Sequence, residues 1–187
     1  MSRLVDQAVR DIYRNAASTE PAPGGGSVTA LGRMLGVALV LKALRISLKR
    51  REDAAQFGPA EQALEQLAQA LAADADADAE VFSFYMAALR MDKSDPSRAG
   101  RIDQAAAQAT EAGLQALQNA LEGIERSRSL GPVISRQMAP DLVAGLGLLD
   151  VMRLNAIENA EANLASVKDP STKSPLAERL AALKAVT

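Results

Sequence analysis

The sequence predicts an all-α protein, an antiparallel helical bundle, and three observations carry that expectation. Alanine and leucine dominate while β-branched residues are sparse, so the intrinsic backbone preference is helical along most of the chain. Apolar residues recur at three- and four-residue spacing through every long segment, the period of a helix and not of a strand. The stretches between these segments are short and polar, as in "MDKSDPSRAG" and "VKDPSTKSP", which suits neighbouring helices that run antiparallel. At 187 residues the chain fits one domain, 1–187, long enough to bury a core without disulfides.

In chain order, the spacing predicts helices over 3–16, 28–48, 59–90, 98–126, 141–167 and 175–185. The first mixes charges into every turn, so it does not resemble a secretory signal. The second follows "EPAPGGGSV" and is apolar nearly all round, which makes it central. Gly24, Gly25 and Gly26 either form a flexible loop feeding that buried helix or make a turn that something approaches closely, with Ser27 at the N-cap position. Gly32 and Gly36 share one helix face and let another backbone come near. Arg33, Lys42 and Arg45 interrupt the apolar run, which argues against a membrane span. Beyond it, "LKRRED" places cations at a helix C-terminus, where they complement the dipole or form a patch for a polyanionic tail.

The third helix breaks its own pattern. Leu67, Leu71, Phe82, Tyr85 and Leu89 form one stripe at about 100° per residue, and Asp74 and Asp78 fall in its middle. Asp76 and Glu80 face the other way, as solvated carboxylates do. A carboxylate on an apolar stripe is costly unless paired, so Asp74 and Asp78 are either halves of buried ion pairs or acid/base groups in a site. The fourth helix opens after the "MDKSDPSRAG" turn. On the fifth, Leu142, Val143, Leu146, Leu148, Leu149 and Met152 give a broad apolar surface. Asn159 and Asn163 share a face with Met152, as interhelix hydrogen bonders or as ligand contacts. Asp141 lies about 27 Å from them along a continuous helix and has an ordinary role as an N-cap after Pro140. Two helices this apolar need more cover than a small bundle supplies, so a homodimer is expected.

Composition excludes several chemistries. With no cysteine and no histidine, the chain lacks both a zinc hydrolase's usual ligands and the base of Ser-His-Asp or Cys-His arrangements. Catalysis would run on carboxylates, amides, lysine, hydroxyls or backbone. A net charge of -2 and 3% aromatics offer neither a basic field nor a stacking platform for nucleic acid. With no signal and no membrane span expected, the expected location is cytoplasmic.

Taken together, "PAPGGGSV", the helix with Gly36, "RISLKRR", "DADADAEVF" and the later Asp141, Asn159, Asn163 series resemble the cyclodeaminase/methenyltetrahydrofolate cyclohydrolase family, which includes the C-terminal half of formiminotransferase-cyclodeaminase. The likeness runs over nearly the whole chain in the same order. Ser47 stands at the family's threonine, Arg50 and Arg51 at its basic pair, Asp78 at the aspartate before Phe82, and Lys93 at the lysine closing that helix. Asp141, Asn159 and Asn163 stand at the aspartate and paired asparagines of the later helix. Lys49, Asp92 and Pro140 depart from the glycine, proline and serine of the pattern, and the asparagine expected upstream is absent from "GPVISRQMAP".

The resemblance implies an all-helical homodimer whose substrate is a one-carbon tetrahydrofolate, with no bound prosthetic group and no metal. It makes Asp78 and Asp141 the catalytic candidates. The substrate-binding candidates are Gly24, Gly25, Gly26 and Ser27 at the helix start, Arg50 and Arg51 at the glutamate tail, and Asp74, Lys93, Asn159 and Asn163. Absence of an attached transferase domain leans the expectation toward cyclohydrolase. The alternative is a diverged, non-catalytic helical dimer that keeps a ligand pocket.

Overall fold

The computed structural model describes residues 3–20, 22–49 and 51–186. The described residues form six α-helices and three short 3-10 turns, with no strand. The helices are α1 (Val9–Ala16), α2 (Gly25–Leu48), α3 (Gly58–Arg90), α4 (Arg98–Ser129), α5 (Ala139–Ser166) and α6 (Pro170–Ala185). Four of them, α2 to α5, close a ring in which α2 and α4 each pack against both α3 and α5. Contacts from the two ends fix the directions. Arg45 of α2 bridges Glu61 and Glu65 near the start of α3, while Ser27 meets Asp78 further along it, so α2 and α3 run antiparallel. Asn119 of α4 meets Asp74, and Asn163 of α5 meets Ala109, so the up-down alternation continues around the ring.

The expected architecture is therefore present, with shifted ends. Helix α2 starts at Gly25 with Gly24 as its N-cap, so Ser27 is the third helical residue and not the cap. Helix α5 starts at Ala139 after Met138, so Asp141 lies in its first turn and not at the cap. The segment expected as one helix over 3–16 is a 3-10 turn at Leu4–Asp6 followed by α1. A tertiary contact makes the break: Asp76 accepts from the Leu4 amide at 2.7 Å and from Arg3 Nε at 3.3 Å, and the Leu4 side chain is buried beside Ala30, Leu31 and Ala75. Asp76 thus anchors the N-terminal segment and is not the solvated carboxylate its helix position suggests. Helix α6 begins at Pro170, because Asp169 caps it through the Ser171 amide.

The largest apolar cluster joins Val37, Val40 and Leu44 of α2 to Leu64 and Leu71 of α3 and Leu149 of α5. A second joins Leu114 and Leu117 to Ala156, Ala160 and the α6 leucines Leu176 and Leu180. Small residues set how closely the helices approach. A Cβ added at Gly36 would lie 2.9 Å from the Gly145 carbonyl oxygen, and one at Gly145 would lie 2.7 Å from the Gly36 oxygen, so α2 and α5 cross with their backbones in contact. Helix α2 is long and apolar enough to cross a membrane by length and composition, but half of that window is buried inside the bundle.

One length difference positions the site. At 24 residues α2 is about 36 Å long, and α3 at 33 residues is about 50 Å. Helix α2 begins at the level of Asp78, so α3 runs on for about 18 Å with no α2 beside it. The stripe expected along α3 therefore splits. Leu67 and Leu71 are buried, whereas Phe82 and Leu89 are 38% and 37% exposed.

Candidate functional site

A cavity of about 130 Å³ opens where α2 begins, walled by α2, α3, α4 and α5. Small residues make room for it: Ala77 on α3, Ala109, Ala112, Gly113 and Ala116 on α4, and Ala156 on α5. Polar groups enter from all four helices. Asp78 accepts a hydrogen bond from the buried Ser27 hydroxyl at 2.8 Å. Its carboxylate presses against Gly26, where an added Cβ would fall 2.0 Å from Asp78 Oδ1. The three glycines have no positive φ among the described residues, so Gly26 is needed for space and not for an unusual backbone. The first amides of α2 lack intrahelical acceptors, and a carboxylate at that positive end is electrostatically favoured.

One turn earlier on α3, Asp74 accepts from Asn119 Nδ2 at 2.8 Å, and Asn119 in turn accepts from Gln115 Nε2 at 3.0 Å. Burial pushes the Asp74 carboxyl above its ordinary range, opposed by the Asn119 hydrogen bond and then by the charge of Arg33. Arg33 is 2% exposed. Its Nη1 donates to the Ala116 carbonyl at 3.2 Å, while its Nε is buried with no acceptor. Desolvation lowers the guanidinium below its ordinary value, and Asp74 and then Asp78 oppose the shift. One cation against two carboxylates leaves the cavity with one net negative charge when all three are ionised.

The α5 wall is a ladder of amides one turn apart. Asn155 Oδ1 accepts from Thr29 Oγ1 at 2.9 Å and from Asn159 Nδ2 at 3.2 Å, and Asn163 Nδ2 donates to the Ala109 carbonyl at 3.3 Å. These contacts leave amide oxygens and nitrogens along the cavity, able to orient a polar heterocycle or a water. Among the described residues no three metal-ligating carboxylates, cysteines or histidines gather together.

Of the residues singled out in the sequence, Gly26, Asp74, Asp78, Asn159 and Asn163 line this cavity. Ser27 holds Asp78, Gly25 faces Asn155, and Gly24 caps α2. Others are elsewhere. Asp141 pairs with Lys42 Nζ at 2.6 Å, near the opposite end of α2, so within one chain it takes no part in the cavity. Arg51 lies beyond that same end and holds Asp53 through two hydrogen bonds of 2.8 and 2.7 Å. Lys93 is exposed in the turn after α3, on the cavity's end of the bundle but outside its walls. Arg50 lies outside the described residues. The structure adds Thr29, Arg33, Asn119 and Asn155. Asn155 was readable as the first rung of a three-asparagine series, and Arg33 as a charge inside an apolar run.

Comparison with known proteins is consistent with this frame. A crystal structure of formiminotetrahydrofolate cyclodeaminase from Thermotoga maritima superposes with a TM-score of 0.85 at 18% identity, covering 97% of this chain and 90% of that one, a likeness of fold. Among curated proteins none matches the chain in sequence. The family model described as formiminotransferase-cyclodeaminase matches residues 8–182. The chain belongs to the formiminotransferase-cyclodeaminase family.

Proposed function

We propose that the chain is a one-carbon folate enzyme that closes 5-formiminotetrahydrofolate to 5,10-methenyltetrahydrofolate with loss of ammonia. The observation that carries the reading is Asp78, a carboxylate held by Ser27 against the start of α2 in an amide-lined cavity of net negative charge. In the reaction N10 attacks the carbon of the protonated formimino group, the tetrahedral carbon bearing N5, N10 and the amino nitrogen collapses, and the amine leaves as ammonia. N10 loses a proton and the leaving nitrogen gains one. Asp78 takes the first and returns it to the second, and its charge offsets the amidinium that forms. Asn155 and Asn159 orient the ring or the leaving amine. The same groups serve the hydrolytic reaction of this family, addition of water to the methenyl carbon to open 10-formyltetrahydrofolate. No metal and no prosthetic group takes part in either step as proposed.

The test is to supply 5-formiminotetrahydrofolate and follow ammonia release together with growth of the methenyl absorbance. Both are expected well above the uncatalysed rate. Starting from the methenyl compound in water, loss of that absorbance above background would instead assign the cyclohydrolase reaction. No acceleration in either direction would leave a non-catalytic helical dimer with a ligand pocket.

A homodimer belongs to the same proposal. Helix α2 leaves Leu35 and Ile46 56% and 44% exposed, and the adjoining α5 leaves Val143, Val151 and Leu154 68%, 60% and 51% exposed. These apolar residues lie on neighbouring helices and suit a second copy of the same surface. Sedimentation at micromolar concentration is expected to give a dimer, and a monomer would remove this part of the proposal.

A further inference from the structure

We infer that Arg33 and Asp74 form the recognition floor of the cavity and read the 2-amino-4-oxo edge of a pterin ring, an inference that rests on the folate reading above. Arg33 lines the cavity, yet among the described residues it closes no ion pair, and its Nε is buried without an acceptor. A buried arginine with a purely structural role is held by a carboxylate, because an unpaired buried charge costs more than the packing returns. Two carboxylates are near enough to act on its charge, and neither touches it.

Asp74 is the complementary case. Asn119 holds Oδ2, and Gln115 orients Asn119 by donating to its amide oxygen, which directs the Asn119 nitrogen at the carboxylate. Among the described residues Asp74 Oδ1 takes no hydrogen bond, and the carboxylate is only partly buried. The floor thus offers guanidinium N–H groups of Arg33 beyond the one given to Ala116, and one unused carboxylate oxygen, across a cavity large enough to admit a ring edge. A ligand that satisfies both presents donors and an acceptor side by side. The 2-amino-4-oxo edge does so: its amino group and N3–H face a carboxylate, and its O4 faces a guanidinium. Asp78 and the amide ladder, nearer the α2 start, are left for the one-carbon end of the substrate.

The test is equilibrium binding of two probes to the wild-type protein: tetrahydrofolate, and its 2,4-diamino counterpart in which O4 is replaced by an amino group. The second keeps the 2-amino donor toward Asp74, but its N3 carries no hydrogen, so it loses one of the two donors to that carboxylate and turns a donor toward Arg33. Wild-type protein is expected to prefer the 4-oxo probe by about tenfold or more, since the exchange removes the acceptor for Arg33 and the N3–H donor to Asp74 together. Arg33→Met keeps the side-chain length without the charge, and is expected to shrink the preference by about threefold or more, chiefly by weakening the 4-oxo probe; the remainder reports the N3–H contact to Asp74. Equal wild-type affinities in a protein that turns over a one-carbon folate would overturn this inference and leave the proposed function standing. A wild-type protein that binds neither probe and turns over no folate would overturn the function and the inference together. The wild-type comparison stands even if Arg33→Met fails to fold.

Discussion

Asp78→Asn is expected to lower turnover by about 10² to 10⁴ while the melting temperature holds. The amide keeps the shape of the side chain and an oxygen to accept from Ser27, but loses the proton-carrying group and the charge that offsets the amidinium. The structure sharpens this expectation, because no cation pairs with Asp78 among the described residues. If Asp78 were half of a buried ion pair, removing it would strand its partner at a cost of about 3 to 5 kcal/mol. Initial rates and a thermal melt on the same sample separate the two cases. A folded variant with wild-type turnover would eliminate Asp78 as the acid/base group. Asp76→Asn is unsuitable as the control, since Asp76 fastens Leu4 and Arg3 to α3. The exposed Glu80 on the same helix serves instead, and Glu80→Gln should leave both measurements unchanged.

Gly145→Ala is expected to destabilise the fold by about 1 to 3 kcal/mol, which for a chain of this size lowers the melting temperature by roughly 2 to 12 °C. The new methyl meets the Gly36 oxygen at 2.7 Å and Val40 Cγ2 at 2.8 Å. The oxygen belongs to helical backbone and cannot turn aside, so α2 and α5 must separate and uncover Val37, Val40 and Leu149. Gly100→Ala, in open space on α4, is the contrast and should leave the melting temperature unchanged or slightly higher. Similar losses at both positions would mean that glycine matters here through helix propensity and not through contact.

The fold was legible because six long segments repeat the helical period and polar turns separate them. What escaped was set by contacts between segments. The break after Asp6 comes from Asp76, some seventy residues away, and nothing in "RLVDQAVRDIY" announces it. Asp74 and Asp78 were legible because a carboxylate on an apolar stripe violates a local rule. Arg33 violated the same rule, but its burial depends on α2 meeting Ala116 of α4 across the ring, a relation absent from the order of elements. Arg51 and Asp141 show the converse limit. Motif order along a chain does not tell which end of an antiparallel bundle each residue reaches, and these two lie at the end away from Asp78.

The early start of α3's uncovered length gives the cavity two unlike halves. Below Asp78 the walls are pinned: the Gly36 and Gly145 backbones touch, so α2 and α5 cannot slide without collision. Above it α2 gives no cover and of residues 79–90 only Ala88 is buried, although the start of α4 still ties the end of α3 down, Arg98 donating to the Leu89 and Met91 carbonyls at 3.0 and 3.2 Å. With few buried contacts, that half is held less firmly than the half below Asp78. The half around Asp78 and the amide ladder is thus the firmly braced one, and the half along the end of α3 the lightly braced one.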